Sequence, residues 1–272
     1  MGRKKVLFIS SEMNPFLQGS SVSEIARILP QAIQEQDNEI RILVPRFGVI
    51  NERRNRLHEV VRLSGINITI DDNDNPLIIK VASLPEAKMQ VYFLDNEDYF
   101  HRKFVYTDEN NEFFPDNDER TIFFCKGALE TVKKLGWAPD IIHCHGWMTS
   151  LIPLYMRSLY KDEPVFKNAK VVFSVFENQF EENLGKDFAR KASLNNIDET
   201  QMSVYDDGEC RNLYIGAIQH ADAVVKVSSE IDPDVEKFIA SVSTDKIVMQ
   251  HKAEDFSDDY AELYEKLLTS QN

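Results

Sequence analysis

Lys5-Val6-Leu7-Phe8-Ile9 is followed by SSEMNPFLQGSSVSEIARILPQAI, Ser10 to Ile33, and then by Ile40-Arg41-Ile42-Leu43-Val44. The flanking apolar runs are short and largely uninterrupted, which is how strands covered on both faces of a parallel sheet read. Between them Val22, Ile25, Ile28, Leu29, Ala32 and Ile33 recur at helical spacing. Pro30 falls inside that stripe and is expected to kink or interrupt the helix. A strand, a Gly/Ser loop, a helix and a second strand form the opening of a nucleotide-binding α/β unit. The loop, however, reads Gln18-Gly19-Ser20-Ser21, without a lysine and without a glycine pair.

Working outward, the alternation continues. Leu63–Ile70 and Leu77–Val81 flank Asp71-Asp72-Asn73-Asp74-Asn75-Pro76, the composition of a turn, and predict a β-hairpin with Lys88–Leu94 as a further strand. Asp95 to Asp118 is polar and aromatic and reads as a long loop. Asp118 is expected to cap a helix reaching Leu135, with Gly136 as its stop. Strands follow at Pro139–His145, Lys170–Val175, Ala223–Val227 and Lys246–Met249, separated by helices near Thr149–Tyr160, Arg211–Gln219 and Asp232–Ser241, with a terminal helix at Ala261–Leu268. The fold class predicted is α/β: a doubly wound, mostly parallel Rossmann-like sheet with a β-hairpin insertion. In such sheets ligands bind where strands end, so the residues after each strand are the candidates.

The chain has 272 residues and a net charge of −14, which argues against nucleic acid and anionic membrane as partners. Cys125, Cys144 and Cys210 are widely spaced, as in a reduced chain, and no apolar run approaches the length of a membrane helix. A cytoplasmic location is the expectation. His143 and His145 are taken to point to opposite faces of their strand. With no helical i, i+4 pair among His58, His101, His220 and His251, no metal site is expected. His143 is read as a hydrogen-bonded core residue, and His145 as either structural or ligand-facing. The carboxylates of Asp71 to Asp74, and of Asp95, Glu97 and Asp98, are read as solvated. There is no full P-loop and no G-x-S-x-G elbow, and no cofactor is expected.

Four segments together resemble one family, the bacterial glycogen and plant starch synthases. They are Lys5 to Phe16, Phe114-Pro115-Asp116-Asn117-Asp118-Glu119-Arg120, the run from Trp137 to Trp147, and His220 to Ser228. The resemblance implies the N-terminal half of a GT-B glycosyltransferase, which transfers glucose from ADP-glucose or UDP-glucose to an α-1,4-glucan. It implies a domain over residues 1–243 and a C-terminal tail and helix over 244–272. The second, nucleotide-binding domain is expected to be absent.

Against the family pattern this sequence departs at functional positions. The family's loop lysine corresponds to Gln18 and its glycine pair to Ser20 and Ser21. Its aspartate before the tryptophan corresponds to Gly146, and the histidine that touches the donor sugar to Phe176. Each lost charge-assisted contact costs on the order of 1.5–3 kcal/mol. The resemblance therefore implies a domain that does not transfer glucose alone and acts as a glucan-binding or scaffold half-enzyme. The alternatives are a synthase completed by a partner subunit and a protein-interaction scaffold without a sugar ligand. The expected cleft residues are Glu12, Asn14, Gln18, Gly19, Ser20, Ser21, His145, Trp147 and Asn178, and no catalytic residue is assigned. Tyr99, Phe100 and Tyr106 are candidates for stacking on sugar rings. An α-glucan or nucleotide sugar, a protein partner or a homodimer are the partners considered.

Overall fold

The computed structural model describes residues 3–84, 87, 89–194, 196–254 and 256–269. Its strands are β1 (Lys5–Ser10), β2 (Glu39–Pro45), β3 (His58–Glu59), β4 (Ile66–Ile70), β5 (Asn73–Leu84), β6 (Met89–Asp95), β7 (Ile141–His145), β8 (Lys170–Val175), β9 (Ala223–Lys226) and β10 (Ile247–Gln250). The helices are α1 (Ser21–Glu35), α2 (Glu52–Asn55), α3 (Glu97–Phe100), α4 (Asn117–Leu135), α5 (Ile152–Arg157), α6 (Phe188–Ser193), α7 (Glu199–Met202), α8 (Cys210–His220), α9 (Pro233–Val242) and α10 (Phe256–Thr269). Lys88, expected to begin β6, lies outside the described residues, as do Ser270 to Asn272 of the tail.

The sheet order is β10-β9-β8-β7-β1-β2-β6-β5-β3, with β4 paired to β5. Strands from β10 to β6 run parallel, and β5, β4 and β3 are antiparallel. From β1 the chain moves to β2 and β6 on one side, then returns to β7 on the other. The loops after β1 and β7 therefore diverge, and Ser10 pairs with His145 at that point. This is the topological switch point, where sheets of this kind bind their ligands at the carboxyl ends of the strands.

The central strands earn their position by composition. Val6 to Ile9, Ile141 to Cys144 and Val171 to Phe173 are wholly buried, as expected of strands covered on both faces. Helix α1 runs unbroken through Pro30, contrary to the interruption expected. Val22, Ile25, Ala26, Leu29 and Ile33 bury on one stripe to either side of the proline, and that packing outweighs the one backbone bond it removes. The hairpin turn is tighter than expected. Asp71 and Asp72 alone turn it, with φ of 49° and 63°, and Asn73 to Pro76 belong to β5. Two consecutive left-handed residues match the twist of the strands they join. Helix α4 begins at Asn117, so Asp118 lies in its first turn and does not cap it, while Gly136 ends it at φ 61°.

Two readings of charged groups are corrected. Asp95 is buried, bonded to Lys80 Nζ at 2.8 Å and to His101 Nε2 at 3.0 Å, and is not a solvated turn residue. His143 and His145 lie on the same face of β7, their ring centroids 4.3 Å apart. Residues two apart in a strand share a face, which the opposite-face reading overlooked. His143 is fully buried and pairs through Nδ1 with Tyr264 Oη at 2.7 Å and through Nε2 with Ser174 Oγ at 2.8 Å. It thereby ties α10 to the sheet.

Candidate functional site

The loop after β1 delivers Glu12 beneath the N-terminus of α1. Glu12 is buried; one carboxylate oxygen accepts from Ser20 Oγ and the other from Tyr106 Oη at 3.0 Å. Ser20 is also the N-cap of α1, accepting from Ser23 N at 3.0 Å. The next residue, Ser21, donates to Glu177 Oε1 at 2.6 Å, and Glu177 takes a second hydroxyl from Ser228. Loops after β1, β8 and β9 are thus joined through hydroxyl-to-carboxylate bonds at one edge of the sheet. Ser20 and Ser21, at the start of α1, both donate to carboxylates of the chain itself.

Tyr106 links this edge to an aromatic pocket. Its ring lies 5.2 Å from that of Trp147, which in turn meets Phe180 at 4.9 Å and Phe113 at 6.2 Å. These rings, with Phe104, Gln179 and Glu182, enclose a cavity of about 280 Å³. Gln179 Oε1 accepts from the backbone N–H of Trp147 at 3.2 Å and from Tyr214 Oη at 2.9 Å, which fixes the pocket floor. Tyr106 is itself positioned from α4. Asn117 Nδ2 donates to the Tyr106 carbonyl at 2.8 Å, and the fully buried Arg120 donates to the Val105 carbonyl at 2.8 Å. Arg120 is surrounded by Phe47, Phe100 and Phe114, and its burial lowers its pKa to about 10. The residues Asn117 and Arg120 of the segment from Phe114 to Arg120 therefore hold the long aromatic loop in place.

The remaining sequence candidates divide clearly. Gln18 and Gly19 are exposed at the rim, Gly19 with φ of 103°, and Asn14 is half-buried. Trp147 lies at the base of the aromatic pocket. Asn178 is exposed and donates to Glu181 at 2.9 Å, away from the edge cluster. His145 is fully buried below the edge, its two ring nitrogens without hydrogen-bond partners among the described residues, and burial lowers its pKa to about 3. Of the proposed stacking residues, Tyr106 lines the pocket, whereas Tyr99 and Phe100 pack into the core against Phe123. Glu177, one of the residues after β8 that could reach the cleft, was passed over in favour of Asn178, and Phe113 and Phe180 were not chosen from the sequence. The signal for Glu177 was its place one residue closer to the end of β8 than Asn178.

Glu52, Asp95 and His101 bring ligand atoms within 4.8 Å of one another. Lys80 Nζ already contacts both carboxylates, at 2.7 and 2.8 Å, and Arg46 pairs with Glu52. Protein cations fill the place a metal would take.

Burial pushes the Glu12 carboxyl up, the hydroxyls of Ser20 and Tyr106 oppose the rise, and Glu177 adds to it; the balance is upward. With the folded value above the unfolded one, ionised Glu12 costs stability at neutral pH. That cost is relieved as pH falls through the folded value and is gone below about 4.3, the unfolded value. Wild type should therefore gain stability relative to Glu12→Gln between pH 7 and pH 4 in denaturant titrations. A difference that stays constant with pH would refute this.

A family model described as the starch synthase catalytic domain matches residues 5–247. The chain belongs to this family. Glycogen synthases of Chlorobium limicola and Chlorobium luteolum are 38% and 44% identical to it over 227 and 173 residues, or 82% and 63% of this chain. Those alignments take in 45% and 35% of the relatives, so the chain spans about half the length of the glycogen synthases it matches or less. The solved catalytic domain of starch synthase IV from Arabidopsis thaliana, bound to ADP and acarbose, matches with a TM-score of 0.73 at 20% identity. That match covers 92% of this chain and 52% of the other, and establishes the fold as that of a GT-B glycosyltransferase catalytic domain. Within the starch synthase family, Gly146 carries a structural reason for lacking a side chain. A Cβ there would lie 2.3 Å from Ser11 Oγ.

Proposed function

We propose that this starch synthase-type domain, over residues 1–243 with 244–272 as its C-terminal element, binds an α-glucan at the carboxyl edge of its sheet and excludes the nucleotide diphosphate. On its own it does not transfer glucose. The observation that carries this is the pairing of Ser20 with Glu12 and of Ser21 with Glu177. A diphosphate at the start of α1 would meet two carboxylates and no lysine, where a phosphate needs free N–H or O–H donors and positive charge. Glu177 is held ionised: burial raises its pKa, and the hydroxyls of Ser21 and Ser228 outweigh that, leaving it below its ordinary value. A neutral sugar suffers no such repulsion. Over the buried Trp147 and Phe180, the pocket offers ring surface of Phe104, Tyr106 and Phe113 beside Gln179 and Glu182, the mixture of stacking area and hydrogen-bonding groups that a glucosyl ring uses. The starch synthase IV catalytic domain that shares the fold binds ADP and acarbose.

The test is calorimetric titration of the purified chain with maltoheptaose and, separately, with ADP-glucose. Heat is expected with the glucan alone. Saturable binding of ADP-glucose would overturn the exclusion and restore a donor site. Silence with both ligands would remove the glucan reading in favour of a protein-interaction scaffold. Glucosyl transfer appearing only with a co-purified chain would identify a partner that completes the enzyme.

A further inference from the structure

Away from the carboxyl edge, a polar cavity of about 270 Å³ lies between α4, the turn of the β4–β5 hairpin and the segment after α5. Lys126, Glu130 and Lys133 face it from α4, Asp71 and Asp72 from the hairpin, and Tyr160 and Glu163 from the segment after α5. Most of these charges are committed. Asp71 holds Arg190 through two bonds of 2.5 and 2.9 Å. Glu130 accepts from Tyr160 Oη at 2.7 Å, and Lys133 pairs with Glu163 at 2.8 Å and Glu130 at 3.5 Å. Asp72 is exposed. Half-buried Lys126 makes no side-chain hydrogen bond or ion pair among the described residues.

We infer that Lys126 is a site of direct acylation, its amine taking an acyl group from a small acyl phosphate that enters this cavity. Of the two lysines that face the cavity, Lys133 is held in ion pairs, whereas Lys126 feels Glu130 only through space, and the open cavity admits a small acyl group. In the step itself the neutral amine attacks the acyl carbon. The new N–C bond forms as the C–O bond to phosphorus breaks, phosphate leaves with that electron pair, and the surplus proton on nitrogen passes to water. The product is an uncharged amide. Only the deprotonated amine reacts, and a desolvated lysine reaches that state more readily. Burial lowers the Lys126 pKa, and Glu130 opposes it. Carboxylate partners outweigh burial at Lys80, Lys133 and Lys191 and keep them protonated. Lys246 is lowered too, but its Nζ donates to the Ala221 carbonyl at 2.6 Å, which ties up the group.

The experiment exposes the folded chain to acetyl phosphate over a range of pH and reads the initial rate at each lysine by peptide mass spectrometry. Lys126 should react several-fold faster than Lys246 and than the exposed Lys186 and Lys237, with its rate rising at lower pH than theirs. Glu130→Gln removes the charge that favours the ammonium and should raise the Lys126 rate further, with circular dichroism confirming the fold. A Lys126 rate no higher than that of Lys246 or the exposed lysines overturns the inference. So does a Glu130→Gln chain, folded as wild type, in which the Lys126 rate is unchanged or lower.

Discussion

Replacing Gly146 with aspartate should lower the melting temperature by about 4–24 °C, from a loss of roughly 2–6 kcal/mol. Two independent terms contribute. The backbone at Gly146 has φ 83° and ψ 159°, a region that is essentially restricted to glycine and costs about 1–3 kcal/mol for any other residue. The added Cβ would also stand 2.3 Å from Ser11 Oγ and 3.3 Å from Val22 Cγ1, in a place where Ser11 and Val22 are both buried. Relieving that overlap requires side chains or backbone to shift, at about 1–3 kcal/mol. Thermal denaturation of Gly146→Asp and Gly146→Ala checks the sum, and Ser11→Gly in the same chain separates the terms, because it relieves the closer overlap, with Ser11, and leaves the backbone strain and the Val22 contact. A Gly146→Asp chain that melts within about 2 °C of wild type would show that this turn is free to rearrange. Any side chain at position 146 would have to displace Ser11 of the loop after β1.

His143→Phe should cost about 2–6 kcal/mol and loosen α10. The phenyl ring keeps the stacking with Phe8 and His145 but offers no partner to Tyr264 Oη or Ser174 Oγ. Two buried hydroxyls are then left unpaired, each at about 1–3 kcal/mol. Hydrogen exchange should show amides of α10 opening well before those of β7, because the helix loses its buried bond to the sheet while β7 keeps both neighbouring strands. The pair His143→Phe with Tyr264→Phe should recover part of the loss, since one orphaned hydroxyl is removed. Additive losses in that double variant would mean that the bond to Tyr264 does not hold the helix.

Much of the frame is legible in the residues. Lys5–Ile9 and Ile40–Val44 read as buried parallel strands because they are apolar without alternation, and they pair in register on either side of the α1 crossover. Asp71-Asp72 and Gly136 read as turn and stop because few residues accept their backbone angles. The chemistry of the edge was half visible. Gln18, Ser20 and Ser21 show a loop with neither lysine nor a glycine pair, but not that Glu12 and Glu177 take the serine hydroxyls. Asp95 looked like one more surface acid, and only the approach of Lys80 and His101 from other parts of the chain makes its burial affordable. Trp147 and His145 were both placed near the ligand from their position after a strand, yet one forms the base of a pocket and the other lies beneath the sheet edge.

The order of strands and helices, the acidic character and a Gln18-Gly19-Ser20-Ser21 loop without lysine are properties of short segments, set by periodicity, backbone preference and side-chain charge. They were determined by sequence alone. The joining of Ser20 to Glu12, Ser21 to Glu177 and His143 to Tyr264 spans up to 156 residues of chain and depended on which loops the β1–β7 switch point brings together. A buried carboxylate or imidazole is stable only where a distant donor arrives, and that arrival is decided by the tertiary structure.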